Sequence, residues 1–126
     1  MLARGGYLAL GFVAAGLAIA QALLGHAGFW PVLVFAAAPD LTLIAGFGNG
    51  LAQSQLHPRA VPFYNAVHRF WTPVLMVLAG LVLQSSFWTA AGLSWTAHIA
   101  FDRFFGFGLR ASSGFQRPKG LSSAAF

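Results

Sequence analysis

The 126-residue sequence contains no cysteine and only two acidic residues, Asp40 and Asp102. The first absence rules out disulfides, thiolate metal ligands, Fe–S clusters and cysteine nucleophiles, and is silent on the redox state of the compartment. The second belongs to a wider shortage, because charged residues make up 7% of the chain. A water-facing domain uses about 25%, so there is too little polar surface here to cover one. What the chain has instead is 58% hydrophobic residues, 13 Phe and 4 Trp, with a mean hydropathy of +0.72. These values point to a fold solvated by hydrocarbon.

The net charge of +5 comes from Arg4, Arg59, Arg69, Arg103, Arg110, Arg117 and Lys119. These residues flank or cap apolar runs and form no single basic face, so nucleic acid is not the expected partner. Anionic headgroups of the bilayer are, with Arg59, Arg110, Arg117 and Lys119 placed to meet them.

Apolar runs extend over 7–24, 29–47, 63–83 and 87–109. At 1.5 Å per residue each reaches across a core of roughly 30 Å, the second only just. The expected fold is therefore all-α: a four-helix transmembrane bundle over residues 1–110, followed by a loosely ordered basic tail over 111–126. Pro39 and Pro73 should kink the second and third helices. The connections around 25–28 and 84–86 lack Lys and Arg, whereas the N-terminus, the 53–62 loop and the C-terminal segment carry them. By the positive-inside rule both termini are cytoplasmic. Tyr7 and Tyr64 then lie at the inner boundary and Trp30 and Trp88 at the outer one. Ala18-Ile19-Ala20 has the look of a signal-peptide cleavage site. The apolar run continues past it, however, and Gly11, Ala15, Ala18 and Ala22 form a helix-packing stripe, so retention of the segment is expected.

Polar groups inside such spans need a reason, because an ionisable side chain at the centre of a span costs roughly 2.5–3.5 kcal/mol on insertion scales. Asp40, Asn65, His68, His98 and Asp102 are the residues concerned. Counted from the inner helix ends, Asp40, His68 and His98 lie at a common depth of ~8–10 Å. Asp102 shares a helix face with His98, four residues on. Two carboxylates and two imidazoles from three helices suit a divalent metal. They also suit a proton relay or a haem or pigment ligand. A third reading keeps them local, with Asp102 paired to Arg103, Arg69 or His98, and with Asn65 and His68 bonding between helices.

The segment Gly92 to Arg110, containing Ala97-His98-x-x-x-Asp102-Arg103 before an aromatic-glycine stretch, resembles the C-terminal signature of a family of small bacterial membrane proteins. That family is domain of unknown function family 4260. Ser113-Gly114-Phe115, Pro39-Asp40-Leu41 and Tyr64-Asn65-x-x-His68 extend the resemblance, which covers residues 7–115. After Phe115 the chain departs from it, reading Gln-Arg-Pro where the family has a more polar ending with histidine. The resemblance implies a four-helix membrane protein and no activity. More distantly, Pro-Asp with a helical His and His-x-x-x-Asp is similar to the pattern of membrane-bound metal-dependent hydrolases. Two functions are thus expected as alternatives. One is a metal-dependent, hydrolase-like site at Asp40, His68, His98 and Asp102. The other is a non-catalytic accessory or assembly subunit of a larger respiratory or photosynthetic membrane complex, partnered by other membrane proteins.

Overall fold

A computed structural model describes residues 3–117, and Lys119 with the rest of 118–126 lies outside the described residues. Helix α1 (Arg4–Leu24) follows from an unbroken Ala/Leu/Val/Ile run and ends at Gly25. Helix α2 (Trp30–Ala37) has Pro31 in its first turn, where a missing N–H costs nothing. Pro39 cannot donate and its ring crowds the carbonyl four residues back. The chain tightens there into a 3₁₀ turn (Ala38–Asp40) before the short α3 (Leu41–Ala45). A second 3₁₀ turn (Pro58–Ala60) leads into α4 (Val61–Val67), and α5 (Trp71–Val82) follows after a break. Finally α6 (Ser86–Phe105) is capped by the Ser85 hydroxyl, which accepts the Trp88 N–H, and is closed by Gly106 in the left-handed region at φ 96°.

The expected kink at Pro73 occurs upstream, as a full interruption at His68–Phe70 with a 41° bend between the flanking helices. The proline ring conflicts with the carbonyl of Arg69, so the distortion falls on the preceding turn. The carbonyls around the break are satisfied by side chains. Thr72 Oγ1 donates to Ala66 O (2.7 Å), Trp95 Nε1 to Val67 O (2.7 Å) and an Arg103 NH₂ to His68 O (3.2 Å).

Helix α6 is the axis of the fold. It packs against α1, α2 and α5, and its buried surface includes Thr89, Ala90, Ala91, Gly92, Ser94, Trp95, Ala97, Ile99 and Ala100. The facing stripe of α1 is Tyr7, Gly11, Ala14, Ala18 and Ala22, small residues that let the backbones approach. The approach to α5 is closer still: a Cβ on Gly92 would stand 2.8 Å from Val77 N and 2.9 Å from Pro73 O. Tyr7, Phe70, Trp95, Ile99 and Ala100 form the central apolar cluster.

Alongside the apolar core, polar groups are buried and many large apolar ones exposed. Asn65, His68, Thr89, Ser94, Thr96 and Arg103 are buried, while Leu17, Leu24, Trp30, Leu33, Ile44, Leu78, Val82 and many similar side chains face outward. One helix, α1, is long and apolar enough to cross a membrane. The bent pair spanning 58–67 and 71–82 makes a second if it counts as one span. The helical stretch Trp30–Ala45 is apolar but shorter, and α6 carries His98, Asp102 and Arg103 within its length. The expected set of four clear spans thus narrows to an all-helical fold with one clearly apolar span, because the prolines break two runs and polar residues dilute a third.

Residues 107–117 are tied back onto the fold, in contrast to the loose tail expected from 111 onward. Leu56 N donates to Gly114 O (2.9 Å) and Arg117 N to Leu109 O (3.2 Å), and Arg110 and Gln116 form an isolated antiparallel bridge. Arg110 was expected at headgroups; its guanidinium instead donates to Ser54 O (2.9 Å) and Gly114 O (2.8 Å) and lies over the Tyr64 ring. Two backbone carbonyls take up its Nη1 group, while Nε is buried without a hydrogen-bond partner. Arg59 is exposed and Arg117 half-buried. These three arginines belong to the end of the bundle where 46–60 and 107–117 meet, and Arg4 reaches the same end beside Gly106.

Candidate metal centre

Two of the four residues at the centre sit at helix interruptions. Asp40 closes the 3₁₀ turn made by Pro39, and His68 follows the last residue of α4. The other two, His98 and Asp102, are one turn apart on the same face of α6. The interruptions let α2 and α4 aim side chains inward where a straight helix would have carried them past α6.

The four side chains converge. His68 Nε2 stands 3.5 Å from Asp40 Oδ1 and 3.4 Å from Asp102 Oδ2. His98 Nε2 stands 3.2 Å and 3.3 Å from the same two oxygens. One ligand atom from each residue lies within 4.8 Å of all the others.

The opposite edge of each imidazole decides what these distances mean. His68 Nδ1 is 2.9 Å from Tyr64 O, and His98 Nδ1 is 2.7 Å from Ala36 O. A carbonyl only accepts, so each Nδ1 carries the proton, and in the neutral ring Nε2 keeps its lone pair. Both Nε2 atoms are buried without a hydrogen-bond partner. Each Nε2 faces the same two carboxylate oxygens, an arrangement that asks for a positive charge between them, whether a proton on an imidazole or a bound cation. Ligands held about 2.0–2.1 Å from one tetrahedral ion stand about 3.3–3.4 Å apart. The four His–Asp contacts of 3.2–3.5 Å match that edge length, and the remaining two separations are within 4.8 Å. A histidine fixed by its other nitrogen to a backbone carbonyl is also the usual second-shell arrangement of metal ligands. The Tyr64 ring stacks on His68 at 4.0 Å and holds its plane. This group could hold a divalent metal, with the four residues as its ligands.

Exposure is graded across the cluster: side chains are 3% exposed at His68, 9% at His98, 24% at Asp102 and 48% at Asp40. The cluster is thus closed on the histidine side and open at the carboxylates. It opens into a cleft of about 400 Å³ between α1, α2 and α6, whose walls include Ala15, Val32, Ala36, His98 and Asp102.

The domain of unknown function family 4260 (DUF4260) has a family model that matches residues 8–119. The chain belongs to the DUF4260 family. No curated protein and no solved structure matches it.

Of the site residues expected in this DUF4260 chain, Asp40, His68, His98 and Asp102 come together and Asn65 does not. Asn65 faces the 107–117 segment, where Nδ2 donates to Arg110 O (2.9 Å) and Oδ1 accepts Arg110 N–H (2.8 Å). It pairs with the backbone N–H and C=O of one residue, as another strand would. It lies within α4, whereas His68 follows the last residue of that helix and turns toward the cluster. Sequence reasoning missed the carbonyls of Ala36 and Tyr64, which leave no trace in side-chain identity. Pro39 and Pro73, which free backbone groups nearby, were the available hint.

Proposed function

We propose that this DUF4260 protein is an integral protein of the bacterial inner membrane that holds a divalent cation between Asp40, His68, His98 and Asp102 and uses it in hydrolytic chemistry. The observation that carries this reading is the convergence of one ligand atom from each of the four residues within 4.8 Å, with each histidine held at Nδ1 by a backbone carbonyl and its Nε2 facing carboxylate oxygens at 3.2–3.5 Å. The membrane placement is supported by the outward-facing Leu, Val, Phe and Trp side chains, which exceed what a soluble surface carries. It is also supported by the polar groups buried within the bundle, and by the gathering of Arg4, Arg59, Arg110 and Arg117 at one end. On this reading the helical segments make four passes with both ends of the sequence cytoplasmic, the two broken ones being stabilised by protein contacts.

When bound, the cation would polarise a carbonyl or phosphoryl oxygen and acidify a water. The protein's own contribution is to fix two imidazole tautomers, exclude bulk water on the His68 side and leave the half-exposed Asp40 at the open edge. A carboxylate that uses one oxygen as ligand keeps the other to accept a proton. The test is elemental analysis of protein purified in mild detergent without added metal. About one divalent ion per chain is expected in the wild type and none in His98→Ala. A metal-free wild type that stays metal-free after incubation with Zn²⁺, Mn²⁺ or Fe²⁺ overturns the reading.

A further inference from the structure

The cleft beside the centre narrows what can reach it. On its walls the cluster residues are accompanied by alanines, Ile19, Val32, Phe101, Phe105 and Ser94. The hydroxyl of Ser94 already donates to Val32 O at 2.7 Å. Beyond the ligand cluster itself, the cleft's lining therefore offers no side-chain hydrogen-bond donor, and the Ser94 oxygen is its single remaining polar side-chain atom. Its outer rim is apolar as well, since Ile19 and Phe105 are exposed. A water-soluble substrate would find one polar anchor and otherwise oil.

Resting on the metal reading above, we infer that the ligand is a single-chain membrane amphiphile, with an oxygen-bearing head at the cation and its hydrocarbon chain laid along the crevice between α1 and α2. Three features carry this. The cleft is continuous with His98, Asp102 and Asp40, so head and chain are served by one space. Its volume of about 400 Å³ sits low in the ~300–1,000 Å³ range of small-molecule sites, enough for one chain segment with a compact head. Its mouth lies on the apolar flank of the bundle, so the molecule arrives sideways from the bilayer. The graded exposure has the same sense, with the carboxylates open and His68 sealed.

The experiment compares two chelating probes on metal-bearing protein in detergent micelles. Acetohydroxamate carries the head alone, and dodecanohydroxamate carries head and chain. Affinity is read by tryptophan fluorescence and expressed against the probe concentration within the micelle phase. Dodecanohydroxamate should bind more tightly. Ala15→Phe, which fills the cleft from α1, should erase that preference, because an overpacked site typically costs a factor of roughly ten or more. Metal content and acetohydroxamate affinity should not change. Val32→Phe fills the cleft from α2 and should repeat the result, which covers a failure of either variant to fold. An unchanged chain preference in a folded, metal-bearing variant overturns the inference and leaves the metal centre standing. So does a variant that changes only its oligomeric state by light scattering, since a second copy or a partner helix would then occupy the cleft. Loss of both probes together with absence of metal from the wild type refutes the metal reading, and this inference with it.

Discussion

Chelation and ligand deletion, applied together, separate a metal centre from a proton-bridged network of the same four side chains. A ligand that binds only the folded state stabilises it by RT ln(1 + [L]/Kd), about 4 kcal/mol at a thousand times Kd. Loss of an outer-shell partner alone weakens metal binding about 10–100-fold. Removing one of four direct ligands should do at least as much, and a hundredfold weaker site at the same free metal retains only about 1.4 kcal/mol. At roughly 4 °C per kcal/mol for a chain of this size, EDTA should lower the wild-type Tm by about 16 °C. In Asp102→Asn or His98→Ala the same treatment should lower it by about 5 °C or less. The four tryptophans provide the optical signal, and Trp95 stands in the core cluster beside α6. The opposite pattern would refute the reasoning. Were the cluster held by protons, EDTA would leave the wild-type Tm unmoved. Each variant would still lose about 3–5 kcal/mol, the usual cost of leaving a buried charge without its partner.

Other expectations follow from the frame around the centre. Trp95→Phe strips the donor from Val67 O at the α4–α5 break; an unsatisfied buried carbonyl should cost about 1–3 kcal/mol, read as a lower Tm with weaker metal retention through the displaced His68. Asn65→Leu removes both bonds to the Arg110 backbone and should expose 107–117 to limited proteolysis while metal content stays at the wild-type level. Gly92→Val drives a branched side chain into Val77 and Pro73 O and should abolish monodisperse protein in detergent, whereas wild-type elution would show that α5 and α6 can separate. Because the sequence has no cysteine, single cysteines report topology directly. Those at Ala27 and Ser85 should react with an impermeant maleimide added outside intact cells, and those at Arg59 and Ser112 only after lysis.

The site was more legible in the sequence than the framework. His98 and Asp102 are related by helical spacing alone, and counting residues from the helix ends places Asp40 and His68 at their level. Each of those arguments needs only the rise and period of a helix. The interruptions were legible in kind, since Pro39 and Pro73 announce them. Their positions were not, because the break at His68–Phe70 depends on Thr72, Trp95 and Arg103 supplying donors from elsewhere in the fold. The backbone partners of Asn65 and Arg110 were hidden for a related reason. A polar residue at a helix end reads as site or headgroup anchor by pattern, and only the returning chain at 107–117 reveals a backbone partner. Four apolar runs likewise looked like four clear spans, whereas length lost to prolines and polarity carried by α6 leave one.

The position of α6 at the axis also sets an order of events. Ribosomal synthesis runs from α1 toward α6, so Asp40 and His68 leave the tunnel before either His98 or Asp102 exists. Until α6 docks, the earlier helices hold one carboxylate and one imidazole, a pair too sparse to retain an ion. Occupancy of the centre would then report that the helices have met, and a misassembled chain would be marked by its failure to take up metal.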